Sequence, residues 1–264
     1  MGSATREALA SSRAALAAQG STADLATGES LLNAGRVIGD SSQLLSALVD
    51  PAADAAAKAA LVRAVFASAL TPTALELLQC VAATRWSSHS DLLAGVEDLG
   101  LRSIASSTDD GIVEAELFAF GSAVSSNAEL ELALASKLGK ASAKVGLVNS
   151  LLGGKVTEQT LSIVRHLVQQ PRGRRIGELL RYAASVVADQ SGASIATITS
   201  AATLAPEQVE RLRTSLTARY GRRLTLNQVV NPALVGGVHV QIGDDVIDGS
   251  IATRLKDLRS KLAG

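Results

Sequence analysis

Apolar side chains recur at helical spacing from residue 4 to about residue 190. Leu61, Val62, Val65, Phe66 and Ala69 fall at i, i+1, i+4, i+5 and i+8, one stripe of an α-helix. Ala74, Leu77, Leu78 and Val81 continue the pattern after Thr71-Pro72, where threonine can cap and proline can take the first helical position. Asp50-Pro51 is a similar start signal. The spacing predicts helices over 4–18, 23–38, 41–48, 52–68, 72–84 and 88–106. None of these hides its stripe alone, so together they predict a bundle.

Ser106-Ser-Thr-Asp-Asp-Gly111 then punctuates the chain and the pattern restarts. Residues 31–93 match residues 117–179 without a gap at a shift of 86, with 13 identities in 63 positions. Leu48/Leu134, Lys58/Lys144, Val62/Val148 and Thr71/Thr157 are identical, and Val65/Leu151, Phe66/Leu152 and Leu77/Ile163 exchange one apolar side chain for another. The ungapped match reads as an internal duplication of the helical module. The second copy has no counterpart of the first helix, because nothing between Ala105 and Gly111 resembles residues 4–18.

After about residue 191 the texture changes. Ser194 to Ser200 alternates apolar and polar with β-branched residues, a strand signal. Residues 206–220 read as a helix, 224–230 and 237–243 as strands, 246–248 as a short return strand and 251–262 as a closing helix. The expected fold is mainly α with a small α+β domain at the carboxy terminus. Its parts are a six-helix bundle over 1–107, a second bundle lacking the first helix over 108–190, and a short mixed sheet flanked by helices over 191–264.

Composition removes several function classes. Lys+Arg and Asp+Glu are both 25, so the chain lacks the basic excess of a phosphate-neutralising nucleic-acid binder. Six aromatic rings argue against stacking platforms and aromatic-lined cofactor pockets. The 46 alanines suit closely packed helices. Charge does vary along the chain, from −3 over 1–107 through zero over 108–190 to +3 over 191–264, which would orient the molecule between two different partners. One cysteine, Cys80, excludes an internal disulfide, and His89, His166 and His239 show no metal-binding spacing. No apolar run approaches the length of a membrane span.

No catalytic constellation emerges. Gly153-Gly154-Lys155 has Asn149 and Val156 where a phosphate loop requires glycine and Ser/Thr, so it reads as a helix–helix joint. Asp244, Asp245 and Asp248 lack calcium-loop spacing and read as hairpin residues. Ser250 lies in no nucleophile elbow and reads as a helix cap. Arg172, Arg174 and Arg175 form the densest basic cluster, read as a solvated helix start in preference to an acidic-partner contact. Trp86 reads as core packing in preference to an interface anchor. No cofactor, metal or active site is expected.

The segment from Asn231 to Ile251, Asn-Pro-Ala-Leu-Val-Gly-Gly-Val-His-Val-Gln-Ile-Gly-Asp-Asp-Val-Ile-Asp-Gly-Ser-Ile, resembles the signature of the delta subunits of F-type ATP synthases, the oligomycin sensitivity-conferring protein family. Pro232, Gly236, Gly237, Gly243, Asp248, Gly249 and Ser250 carry the match, and Asn231 replaces the usual aspartate. Ser200-Ala-Ala-Thr-Leu-Ala-Pro-Glu-Gln208 is similar to a second family stretch, with Ala205 where a capping hydroxyl is usual. The duplicated bundle marks an enlarged form. The resemblance implies a non-catalytic stator subunit of the proton-translocating ATP synthase. Its partners would be the amino-terminal helices of alpha subunits, bound by the bundle, and the carboxy-terminal ends of the peripheral-stalk b subunits, bound by the last domain. It would then lie at the cytoplasmic face of the bacterial cell membrane, held by those partners. In the family the alpha helix enters a groove between the first and fifth bundle helices, which places Leu9, Leu16, Leu77 and Val81 at that groove. A helical adaptor for some other complex is the alternative reading.

Overall fold

The computed structural model describes residues 2–108, 111–135, 139–221, 223–234, 236–242 and 245–248, which divide between two units, Met1–Val187 and Ala188–Gly264. In unit 1, α1 (Ser3–Gln19), α2 (Leu25–Asp40), α3 (Ser42–Val49), α4 (Ala55–Phe66), α5 (Pro72–Ala83) and α6 (His89–Ser106) fall within three residues of the expected bounds. The widest miss is the start of α4. Asp50 Oδ1 accepts the Ala52 N–H at 2.9 Å, so Asp50-Pro51 closes a turn and the helix begins only at Ala55. Other starts are capped as their sequences imply. Asp24, Ser41, Thr71 and Ser88 accept from the amides of Thr27, Leu44, Ala74 and Asp91. The Thr27 amide and hydroxyl hold the Asp24 carboxyl below its ordinary pKa.

Leu31, Ile38, Leu48, Val62, Leu77, Leu78, Leu92 and Leu99 fill the core of this helical set. Trp86 joins them: its ring lies against Gly95, where a Cβ would stand 2.1 Å from the indole, and its Nε1 donates to the Val81 carbonyl at 2.8 Å. Helices α2 and α6 pack together, and at Gly28 a Cβ would lie 2.6 Å from the Gly100 carbonyl oxygen.

A second set follows: α7 (Ile112–Ser126), α8 (Ala128–Ala135), α9 (Ala141–Leu152), α10 (Glu158–Gln169) and α11 (Ile176–Gln190). The bounds of α8, α9 and α10 are those of α3, α4 and α5 shifted by 86. Leu134, Lys144, Val148 and Ile163 are buried as Leu48, Lys58, Val62 and Leu77 are. Thr157 caps α10 as Thr71 caps α5. Helix α1 shifted by 86 falls on residues 89–105, inside α6, so the helix that closes the first set also stands in the first place of the second. Helix α10 packs on α9 and α7 of its own set and also on α6 and α2 of the first.

Unit 2 contains β1 (Ala193–Ser200), α12 (Pro206–Tyr220), β2 (Arg223–Val230), β3 (Val238–Ile242) and β4 (Asp245–Asp248). The sheet order is β2-β1-β3-β4, with β1 parallel to β2 across the α12 crossover and the remaining pairs antiparallel. Ala196, Ile198, Leu224, Val240 and Ile242 form its core with Leu216 of α12. Helix α12 starts without a capping hydroxyl at Ala205; Gln208 Oε1 accepts the Ala205 N–H at 2.9 Å, and Pro206 sits at the first turn. The closing helix expected over 251–262 lies outside the described residues.

Candidate partner-binding surfaces

The four residues expected at the α1–α5 groove occupy different depths. Leu16, Leu77 and Val81 are buried in the core and join α1 to α5 from within, whereas Leu9 is half-buried against that core. Leu9 is half-buried and Glu76 and Cys80 are exposed on these two helices, while half-buried Gln79 turns to α4, its Nε2 donating to the Ala59 carbonyl at 3.1 Å. Gln19 Nε2 donates to Glu76 Oε2 at 3.3 Å and ties the two helices at one end. Helix α10, at the matching place in the second set, is different. Thr160 to Val164 and His166 to Val168 are all buried, so α10 keeps no comparable open side.

Signature residues of unit 2 shape a connection between strands. Asn231 donates its N–H to the Ser200 carbonyl at 2.8 Å and accepts the Ala233 N–H at 3.0 Å, which places exposed Pro232 on a turn. Gly236 and Gly237 then take φ of 132° and 84°, a region open to glycine and strained for other residues. Asp248 ends β4 opposite His239. Gly243, Gly249 and Ser250 lie outside the described residues. Beside this turn, Leu204, Gln208, Arg211, Leu212 and Val238 line a shallow, mostly apolar groove.

Of the Arg172–Arg175 cluster only Arg175, exposed just before α11, fits a solvated helix start; Arg172 and Arg174 are half-buried and paired. Arg174 makes two bonds to Glu97, at 2.9 and 2.8 Å, and Arg172 pairs with the same carboxylate, which is 2% exposed. Burial, then Arg174, lowers the Arg172 pKa to about 10, so it stays charged at neutral pH. Tyr182 stacks on the Arg174 guanidinium, 5.7 Å from ring centroid to Cζ. His166 Nε2 lies 3.6 Å from Glu97, but burial and the charges of Arg36 and Arg174 lower its pKa to about 3, so the imidazole is neutral. The adjacent Asp98 faces other partners: Arg13 of α1, at 3.0 and 2.7 Å, and Arg102, at 2.9 Å. The signal for this network was a carboxylate pair inside the apolar run from Leu92 to Ala105.

His89 lies on α6, His166 on α10 and His239 on β3, and among the described residues no group of three His, Cys, Asp or Glu side chains is placed to hold a metal ion. Gly153-Gly154 forms the turn after α9, with Gly154 at φ 70°.

The profile described as ATP synthase delta (OSCP) subunit matches residues 101–262, beginning inside α6 and taking in the second helical set and unit 2. ATP synthase subunit delta of Leifsonia xyli subsp. xyli is 56% identical over 265 residues, covering 100% of both chains. The subunit of that name from Streptomyces griseus subsp. griseus is 36% identical over 271 residues, again covering 100% of both. Among solved structures, a chain in the cryo-EM structure of the Toxoplasma gondii mitochondrial ATP synthase hexamer aligns at 21% identity over 58% of this chain and 86% of that one, with a TM-score of 0.39.

Proposed function

The chain belongs to the ATP synthase delta (OSCP) subunit family, and from that premise we propose how its parts divide the work of a stator. The protein is a structural subunit of the ATP synthase and catalyses nothing itself. A stator keeps the catalytic head from turning with the central shaft, so that rotation drives nucleotide exchange. That task requires partner surfaces at both ends and little give between them.

The first helical set takes an amino-terminal helix of an alpha subunit against α1 and α5, in the helix-in-groove manner. Unit 2 holds the carboxy-terminal end of the b-subunit stalk. The two helical sets descend from a duplication, which the shared bounds of α3–α5 and α8–α10 support. No helix among the described residues is long and apolar enough to cross a membrane, and the subunit is held at the cytoplasmic face by its partners. The observation that carries the choice of the first set is the contrast between α5, with Glu76 and Cys80 exposed, and α10, buried along both sides.

Leu9→Glu tests this reading. The new charge would be desolvated under a bound helix at a cost of about 1–3 kcal/mol, which is roughly 5- to 150-fold in affinity for an alpha amino-terminal peptide. Titration calorimetry measures it, with circular dichroism confirming the fold. A folded Leu9→Glu protein that binds the peptide as tightly as the parent places the alpha site elsewhere.

A further inference from the structure

We propose that Glu97 is the joint that makes the two helical sets one lever, with Arg172 and Arg174 as its positioning residues; the mechanical part of this proposal rests on the stator reading above. Glu97 sits in the middle of α6, in the first set, and is 3% exposed. Its carboxylate is satisfied from the other set, by two guanidinium groups on the connection between α10 and α11.

The backbone is bent to deliver them. Arg172 has φ 47° and Gly173 φ 76°, two consecutive left-handed residues, and the first of them has a Cβ. A non-glycine residue holds that conformation only where its surroundings over-determine it. Here the pair forms the centre of a turn closed by the Arg174 N–H on the Pro171 carbonyl at 2.9 Å, and the turn presents Arg172 and Arg174 together to the Glu97 carboxylate. Paired arginines match a carboxylate in a fixed geometry that a lysine would not impose. Packing closes the rest of the joint: α10 lies on α6 and α2, and the Gln170 side chain fills the space beside Gly39, where a Cβ would come 2.7 Å from its Nε2.

Asp98, one residue on, supplies the internal contrast. Its ion-pair partners Arg13 and Arg102 both belong to the first set, so its salt bridges tie α1 to α6; towards the second set it meets the Tyr182 phenol, whose pKa burial and then the Asp98 charge raise. Adjacent carboxylates of equal burial therefore have separable roles.

The test uses the full chain with spin labels on native Cys80, exposed on α5, and on Ser150→Cys, exposed on α9. Pulsed electron resonance reads the distance distribution between the sets. Glu97→Gln keeps the side-chain size and leaves two half-buried cations without their counter-charge, and its distribution should broaden about twofold with a longer component. Asp98→Asn should leave the distribution unchanged. Arg172→Gln with Arg174→Gln is the second variant, should Glu97→Gln lose helix content, and it should broaden the distribution likewise. A parental distribution in a folded variant of either kind overturns the joint. In the assembled enzyme, Glu97→Gln should lower ATP-driven proton pumping severalfold at unchanged ATP hydrolysis. Broadened distances with full pumping would leave the joint standing and overturn the load-bearing role.

Discussion

Glycine to alanine inside a helix ordinarily stabilises, and Gly28 should do the opposite. Alanine is favoured over glycine in a helix interior by about 1 kcal/mol. At Gly28 the added Cβ would stand 2.4 Å from Ile104 Cγ1 and 2.6 Å from the Gly100 carbonyl oxygen. The isoleucine can shift; the carbonyl cannot move without moving α6. Overpacking of this kind costs typically ~1–3 kcal/mol, and a backbone contact under 3 Å belongs in the upper part of that range, so the net change is a loss of roughly 1–2 kcal/mol. For a unit of this size each kcal/mol shifts the melting midpoint by about 2–4 °C, so Gly28→Ala should lower it by roughly 2–8 °C. Gly146, exposed on α9 with nothing within 4 Å of its Cβ position, is the control, and Gly146→Ala should raise the helical midpoint. Trp86, the one tryptophan, is buried in the first set and reports its unfolding by fluorescence, while circular dichroism follows all helices. The reasoning fails if Gly28→Ala melts later than the parent. The matching position in the second set is Glu114, buried at 3%, so no such glycine contact is available there.

Two further outcomes follow from the same packing. His166 has a folded pKa of about 3 against an ordinary value of 6.5, so the unfolded chain takes the proton first. The stability contribution is complete above about 6.5 and falls with acid towards about 3, at up to ~1.4 kcal/mol per pH unit; urea midpoints between pH 7 and 5 should show a slope that His166→Gln flattens, and equal slopes would refute the assignment. Thr157→Ala should cost more than Thr71→Ala, which should cost about 1 kcal/mol as a lost cap, because the Thr157 hydroxyl also donates to Glu116 at 2.7 Å; chemical denaturation of the pair decides it.

The local elements were legible because periodicity and caps are local. Thr71-Pro72 and Thr157 mark helix starts whatever surrounds them, and the strand from Ala193 to Ser200 alternates over Ala196 to Ser200 as a half-buried strand should. What sequence reasoning missed depends on contacts far apart in the chain. Arg174 and Glu97 are 77 residues apart, and nothing beside either names the other. The basic cluster was therefore assigned to solvent, the usual fate of charge, although Glu97-Asp98 within an apolar run already required buried partners. The groove residues illustrate a related limit. A helical stripe identifies Leu77 and Val81 as one face but does not say whether a face meets its own bundle or a visitor, and both are buried in the bundle.

Helix α6 stands beside α10 as α1 stands beside α5, and at the shift of 86 it is α6 that falls on the bounds of α1. In the first set α5 is flanked by α1; in the second, α10 has α6 and α2 at hand, and an added α1-like helix would compete with them for the same surface. A helix docked only by apolar stripes can slide or rotate, since dispersion and hydrophobic burial have little direction. A buried carboxylate does have direction: displaced from Arg172 and Arg174 it would be an unpaired charge in an apolar run, a state costing several kcal/mol. The apolar contact between the sets therefore supplies the affinity, and the ion pair fixes the register. Without Glu97 the sets would still adhere, but nothing in the apolar contact would hold them at one angle against a turning load.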